Sequence, residues 1–185
     1  MPQAKNYMNE GNSIVFNLLT MMNPGSTQET EPFEISVFEQ TDIIFKIENS
    51  GLTYRATPGT LDNIVVAPDN TKTRIKIPYS FQFETRNSVF QGGAIGITVP
   101  EEIEVDMSTI EIRSFSTIRG AITRSMIEFD EATRILKIND AFETAHDGPQ
   151  RVVFRITEGF RNGMSTKPVK PFLITTLDPE GKIID

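Results

Sequence analysis

Apolar and polar residues alternate along most of this chain. Between residues 73 and 84, Ile75, Ile77, Tyr79, Phe81 and Phe83 interleave with Lys76, Pro78, Ser80, Gln82 and Glu84. That period of two is what a strand with one buried face imposes. Proline has no amide to give to a ladder, so Pro78 predicts an edge strand or a bulge at that point. Shorter runs of the same kind predict strands at 14–20, 33–38, 43–47, 52–57, 63–66, 94–99, 110–116, 125–130, 134–138, 151–157 and 172–176. Pro/Gly/Asn/Asp turn chemistry divides them, as at Thr57-Pro58-Gly59, Ala67-Pro68-Asp69-Asn70, Gln91-Gly92-Gly93, His146-Asp147-Gly148-Pro149 and Asp178-Pro179-Glu180-Gly181. Residues 127–129 and 135–138, joined through Asp130-Glu131-Ala132-Thr133-Arg134, predict a hairpin. Only 140–146 suggests a helical turn. Many short strands with closely spaced turns predict an all-β, antiparallel β-sandwich.

A second pattern lies over the first. Asn23-Pro24-Gly25-Ser26-Thr27, with Pro32-Phe33-Glu34-Ile35 downstream, returns as Asn162-Gly163-Met164-Ser165-Thr166 with Pro171-Phe172-Leu173-Ile174. The two copies keep one fixed offset of about 139 residues, the mark of an internal repeat. With a one-residue slip, Val15-Phe16 answers to Val153-Phe154, and Lys46-Ile47-Glu48 answers to Ile183-Ile184-Asp185 at the end of the sequence. The chain divides accordingly into residues 1–48, strands of a preceding unit, and residues 49–185, one complete sandwich module. Glu48, Asn49 and Asp185 then stand at inter-module junctions. Asn23, Ser26 and Thr27, with Asn162, Ser165 and Thr166, form a repeated turn motif, since Asn and Ser/Thr side chains bond to nearby backbone and fix a turn.

Composition narrows the function classes. Lys+Arg 18 against Asp+Glu 25 gives a net charge of −7, which argues against nucleic acid and anionic membrane as partners, because both need clustered cations. The absence of cysteine rules out thiolate catalysis and Cys-ligated zinc. No apolar run approaches the roughly 18 residues of a membrane span, and none of the asparagines lies in a glycosylation sequon.

At this point a family resemblance enters. The order Asn-Pro-x-Ser-Thr-x4-Pro-Phe-x-Ile at 23–35, Ser50-Gly51-Leu52, Gly59-Thr60-Leu61, Val65-Val66-Ala67-Pro68, Tyr79-x-Phe81-x-Phe83-x-Thr85-x-Asn87, Gly92-Gly93-x-Ile95-x-Ile97-x-Val99-Pro100 and Phe160-Arg161-Asn162 resembles the tandem repeats of very large surface proteins of ciliate protists. The resemblance implies immunoglobulin-like sandwiches strung in series, placed outside the cell or at its surface. It also implies a mechanical or adhesive role.

No residue set points to catalysis. His146, the sole histidine, lies beside Glu143 and Asp147 and could be set in a triad with Thr144 or Ser125, but no nucleophile elbow accompanies it and a turn histidine is the simpler account. If the acidic run 101–106 is extended, Glu102, Glu104 and Asp106 share a face that could hold calcium; a solvated outer strand face is the simpler account, since the Asp-x-Asp-x-Asp-Gly loop that preorganises calcium ligands is absent. A carboxylate at each junction, Glu48 or Asp185, could bind a bridging cation, or could merely begin a turn. Two non-catalytic readings follow. The first is a structural and adhesive module that acts through strand pairing and contacts with other copies or modules of the same protein, with no cofactor except possible calcium. The second is a carbohydrate- or calcium-binding, lectin-like sandwich with a loop site at Asp69-Asn70-Thr71 and Asp147.

Overall fold

The computed structural model describes residues 23–39, 41–47 and 51–185. The strand expected at 14–20, the Val15-Phe16 part of the repeat and the junction residues Glu48 and Asn49 lie outside the described residues. The rest is all-β and antiparallel, consistent with a β-sandwich. The twelve strands are β1 (Ile35–Glu39), β2 (Asp42–Ile47), β3 (Asp62–Pro68), β4 (Tyr79–Glu84), β5 (Ala94–Thr98), β6 (Glu104–Val105), β7 (Glu111–Ser116), β8 (Ile127–Asp130), β9 (Ile135–Ile138), β10 (Arg151–Glu158), β11 (Phe160–Arg161) and β12 (Leu173–Leu177).

Two four-stranded sheets, ordered β3-β4-β10-β7 and β12-β5-β9-β8, enclose one core. Alternation decides which side chains enter it. Tyr79, Phe81 and Phe83 of β4 face Val152, Phe154 and Ile156 of β10, while Ile95, Ile97, Leu136 and Ile138 supply the opposite layer. The Phe81 and Phe154 rings stack at 5.1 Å, Phe83 meets Phe154 edge-on, and Phe172 at the mouth of β12 packs on Tyr79, Phe81 and Phe160. Burying each such ring stabilises the fold by roughly 1.5–3 kcal/mol.

Three expectations are corrected. Pro78 does not mark an edge: β4 is an inner strand between β3 and β10. The alternating run is split instead. Ile75, Lys76 and Ile77 pair with the β11 segment (Ile77 N–H to Phe160 O 3.0 Å, Asn162 N–H to Ile75 O 3.0 Å), and the ladder with β3 and β10 begins only after the proline. The inward side chains keep their phase across the change of partner. Residues 140–146 form turns rather than a helical turn, and the short 3-10 helix lies at Arg124–Met126. Residues 52–57 make no regular strand; they run beside 29–33 through Phe33 N–H to Leu52 O, Thr30 N–H to Tyr54 O and a Glu29–Arg55 bridge.

The β8–β9 hairpin forms as predicted, in register from Ile127↔Ile138 to Asp130↔Ile135. Asp130 holds its turn by accepting from the amides of Ala132 and Thr133 and the hydroxyl of Thr133.

Candidate functional site

The first copy of the repeated motif is seated on one end of the two-sheet body. That end is built from the turn after β12, the loop after β4, and the segment leading into β3. Asp178 organises the turn: its Oδ1 accepts from the amides of Glu180 (2.9 Å) and Lys182 (2.8 Å), and its own N–H donates to Lys182 O (2.9 Å). The remaining oxygen, Oδ2, accepts the hydroxyl of Ser26 at 2.6 Å across 152 residues of sequence. Both partners are buried, Ser26 at 8% and Asp178 at 7% exposure. A hydroxyl on a covered carboxylate is a charge-assisted bond, stronger than a neutral one.

Backbone contacts surround this latch. Thr27 N–H donates to Ile183 O (2.9 Å) and Gly59 N–H to Ile184 O (2.8 Å), so residues 183–184 lie between the two passing segments. Arg55 Nε donates to Thr27 O (2.9 Å), and Thr53 Oγ1 bonds to Glu29. Gly25 lies so close to Phe90 that any Cβ there would strike the ring. Pro24, Gly25, Ser26, Phe90, Asp178 and Pro179 line a shallow cleft of about 360 Å³.

Asp185, expected at a junction, belongs to this end. It is 5% exposed; its Oδ1 accepts from Asn87 Nδ2 (2.9 Å), its Oδ2 from Thr176 Oγ1 (3.2 Å), and its carbonyl from Thr176 N–H (3.0 Å). Burial pushes its carboxyl above the usual carboxylate range, with the Thr176 and Asn87 bonds partly offsetting that rise. Gly59 abuts the Asn87–Asp185 pair so closely that a side chain there would part them.

The chain matches no protein-family profile, no curated protein and no solved structure. The site therefore rests on its own geometry.

The second copy of the motif is built differently. Asn162 is 7% exposed and clips the far end together: its Nδ2 donates to the carbonyls of Asn70 (2.9 Å) and Lys72 (2.8 Å), and its Oδ1 accepts from Tyr79 OH (2.6 Å). Burial raises the pKa of that phenol. Asn23, by contrast, is exposed. The Ser/Thr turn itself is common to both copies, with Ser26 Oγ accepting from Gln28 N–H (3.3 Å) and Ser165 Oγ from Lys167 N–H (3.1 Å). The Ser part of the expected turn thus forms in both copies, whereas Asn162 bonds to backbone some 90 residues away in sequence and not to its neighbours.

The other candidates are dispersed. Glu101 and Glu102 sit in a turn, and only Glu104–Val105 is strand. Glu104 pairs with Arg161 at 3.6 Å, and Asp106 with Lys76 at 2.9 Å and the Ser108 hydroxyl at 2.6 Å. The Ser108 hydroxyl, followed by Lys76, holds the Asp106 carboxyl well below the usual range. The three carboxylates thus do not share one extended face, and among the described residues no group of three or more His, Asp or Glu side chains converges as a metal site would. His146 has its ring on Thr144 Oγ1 at 3.2 Å and its backbone bridged to Val89.

Asp69 pairs with Arg155 past the Pro68↔Tyr79 end of the sheet, whereas Asp147 precedes the Arg151↔Glu84 end. The loops imagined as one lectin-like site are therefore at opposite ends. The Ser26–Asp178 latch was missed because sequence places these residues far apart; its one signal was the repeat itself, which marked Ser26 without naming a partner. No helix among the described residues is long and apolar enough to cross a membrane.

Proposed function

We propose that the chain is a non-catalytic structural module of a tandem array of immunoglobulin-like sandwiches, at a cell surface or in a surface filament, and that its working part is the junction just described. One observation carries this reading: the first repeat copy, ahead of the β1–β2 hairpin, is held on the two-sheet body by a buried Ser26–Asp178 bond flanked by backbone hydrogen bonds.

In this reading the β1–β2 hairpin is the closing hairpin of the preceding module, the counterpart of β12 and the returning residues 182–185, where Leu177 bridges Ile183 as β1 pairs with β2. The chain passes between this hairpin and the two-sheet body twice among the described residues, through 28–33 and 51–57. Two connections bonded to each other, with residues 23–27 pinned to the body, resist swivelling far better than a single flexible linker, which samples many orientations. The exposed Phe38 and Ile43 of the hairpin fit a surface that the rest of its own module covers. Order of motifs, similar to that of ciliate surface repeats, supports the cell-surface placement.

Stiffness is the property to measure. The chain lacks cysteine, so spin labels can be placed at Phe38→Cys and Glu128→Cys, both exposed. A narrow distance distribution is expected. A spread as broad as that of an untethered linker overturns the reading.

A further inference from the structure

We infer that residues 163–170, the second copy of the motif, form a projecting hook that seats on the Asp178 end of another module of this kind, here represented by a second copy of this chain. The inference rests on the tandem reading above and assigns it a specific contact.

Three observations carry it. First, the two copies correspond residue for residue, so Ser165 and Thr166 stand where Ser26 and Thr27 stand. Second, the hook is already folded: the Ser165 Oγ to Lys167 N–H bond reproduces the Ser26 to Gln28 turn. No ordering of that turn is needed on docking, and a preorganised segment binds at lower entropic cost. Third, the Ser/Thr part of the hook is exposed where its twin is buried, while its flanks hold to the body, Gly163 O accepting from Arg74 N–H (3.2 Å), Met164 Sδ from the Arg74 guanidinium (3.4 Å) and Lys170 pairing with Glu101 (3.8 Å). Ser26 is buried on Asp178, whereas Ser165, Thr166 and Lys167 are exposed, as are Met164 (68%) and Val169 (43%). The hook leaves the Asn162 end of the body, opposite the Asp178 end, so successive contacts run head to tail.

The copies differ at one place that matters. Met164 occupies the position of Gly25, which packs against Phe90. On this chain's own receptor the methionine must displace that ring. Because Phe90 is 38% exposed, it can swing outward, and its removal eases entry.

The receptor of each chain is filled by its own residues 23–27, so capture in trans requires that segment to be released. Ser26→Gly together with Thr27→Pro does this by removing the hydroxyl on Asp178 and the N–H that bonds Ile183, and both changes make up the Thr27→Pro background. The test uses cysteine pairs in the full, otherwise cysteine-free chain under mild oxidation. As the internal standard, Thr27→Cys with Ile183→Cys closes within one chain. Thr166→Cys with Ile183→Cys, placed in the Thr27→Pro background, is expected to give a ladder of multimers and a 166–183 cross-linked peptide by mass spectrometry. Adding Ser165→Val should lower the yield of that peptide roughly tenfold, the effect of one lost charge-assisted hydrogen bond, and adding Phe90→Ala should raise it.

Absence of the 166–183 peptide while the 27–183 bond still forms overturns the hook and leaves the junction reading standing. A yield indifferent to Ser165→Val also overturns it, as random collision would. Failure of the 27–183 bond to close overturns the junction itself.

Discussion

At the scale of single residues, the proposed junction depends on a few buried side chains. Ser26 satisfies the one Asp178 oxygen that the turn does not use. Ser26→Ala leaves that oxygen covered without its donor, a change that costs about 1–3 kcal/mol. The loss should be local: amide exchange at Thr27, Thr30 and Phe33 accelerates while β4 and β10 keep their protection. Uniform exchange across the chain would refute this.

Asp185 gives a pH signature. Its folded-state pKa lies above the unfolded one because of burial, so the native state holds the proton more tightly. Its contribution is present in full below the unfolded pKa and is lost as pH rises through the folded one. Asp106 and Asp130 act with the opposite sign. The Ser108 hydroxyl and Lys76 lower the first, the Thr133 hydroxyl and nearby amides the second, so their contributions are lost as pH falls. Asp185→Asn should therefore flatten the decline of melting temperature from about pH 4 upward and leave the acid limb intact. An unchanged decline would show that another group is responsible.

At the scale of elements, alternation placed the strands, and pairing depended on contacts that alternation does not encode. β4 and β10 are adjacent, inner and aromatic, so Phe154 touches Phe81 and Phe83 at once. Phe154→Ala should lower global stability by about 3–5 kcal/mol, measured by denaturant unfolding. A loss near that of an exposed site such as Phe115, 65% exposed on β7, would mean that the sheets do not share one core. The run from Ile75 to Phe83 was legible as a single inward-facing stripe. That Pro78 divides it between two ladders was not, because a missing amide can be accommodated by changing partner as readily as by lying at an edge. Residues 52–57 had a strand's composition but found only part of a ladder, since their partner 29–33 carries Pro32 and a turn at its start.

At the scale of the whole molecule, the repeat becomes a geometric statement. One motif copy is bound at the Asp178 end of the body and the other projects from the Asn162 end, which is the arrangement a head-to-tail array needs. Stability in such an array is approximately a sum over modules and interfaces, so stiff spacing depends on each junction being well bonded. The distance distribution between residues 38 and 128 and the cross-linking ladder both read that property, from one junction and from many.

The sequence by itself determined the all-β antiparallel class, the β8–β9 hairpin, the inward face of β4 and the recurrence of one Ser/Thr turn. These follow from local physics: side-chain period, turn chemistry and repetition. Only the tertiary structure decided which end each motif serves, that Asp178 rather than Glu102, Glu104 or Asp106 is the carboxylate put to use, and that Ser26 is engaged while Ser165 is exposed. Those facts depend on groups far apart in the chain meeting where water is excluded, and no local pattern records which distant oxygen a hydroxyl will find.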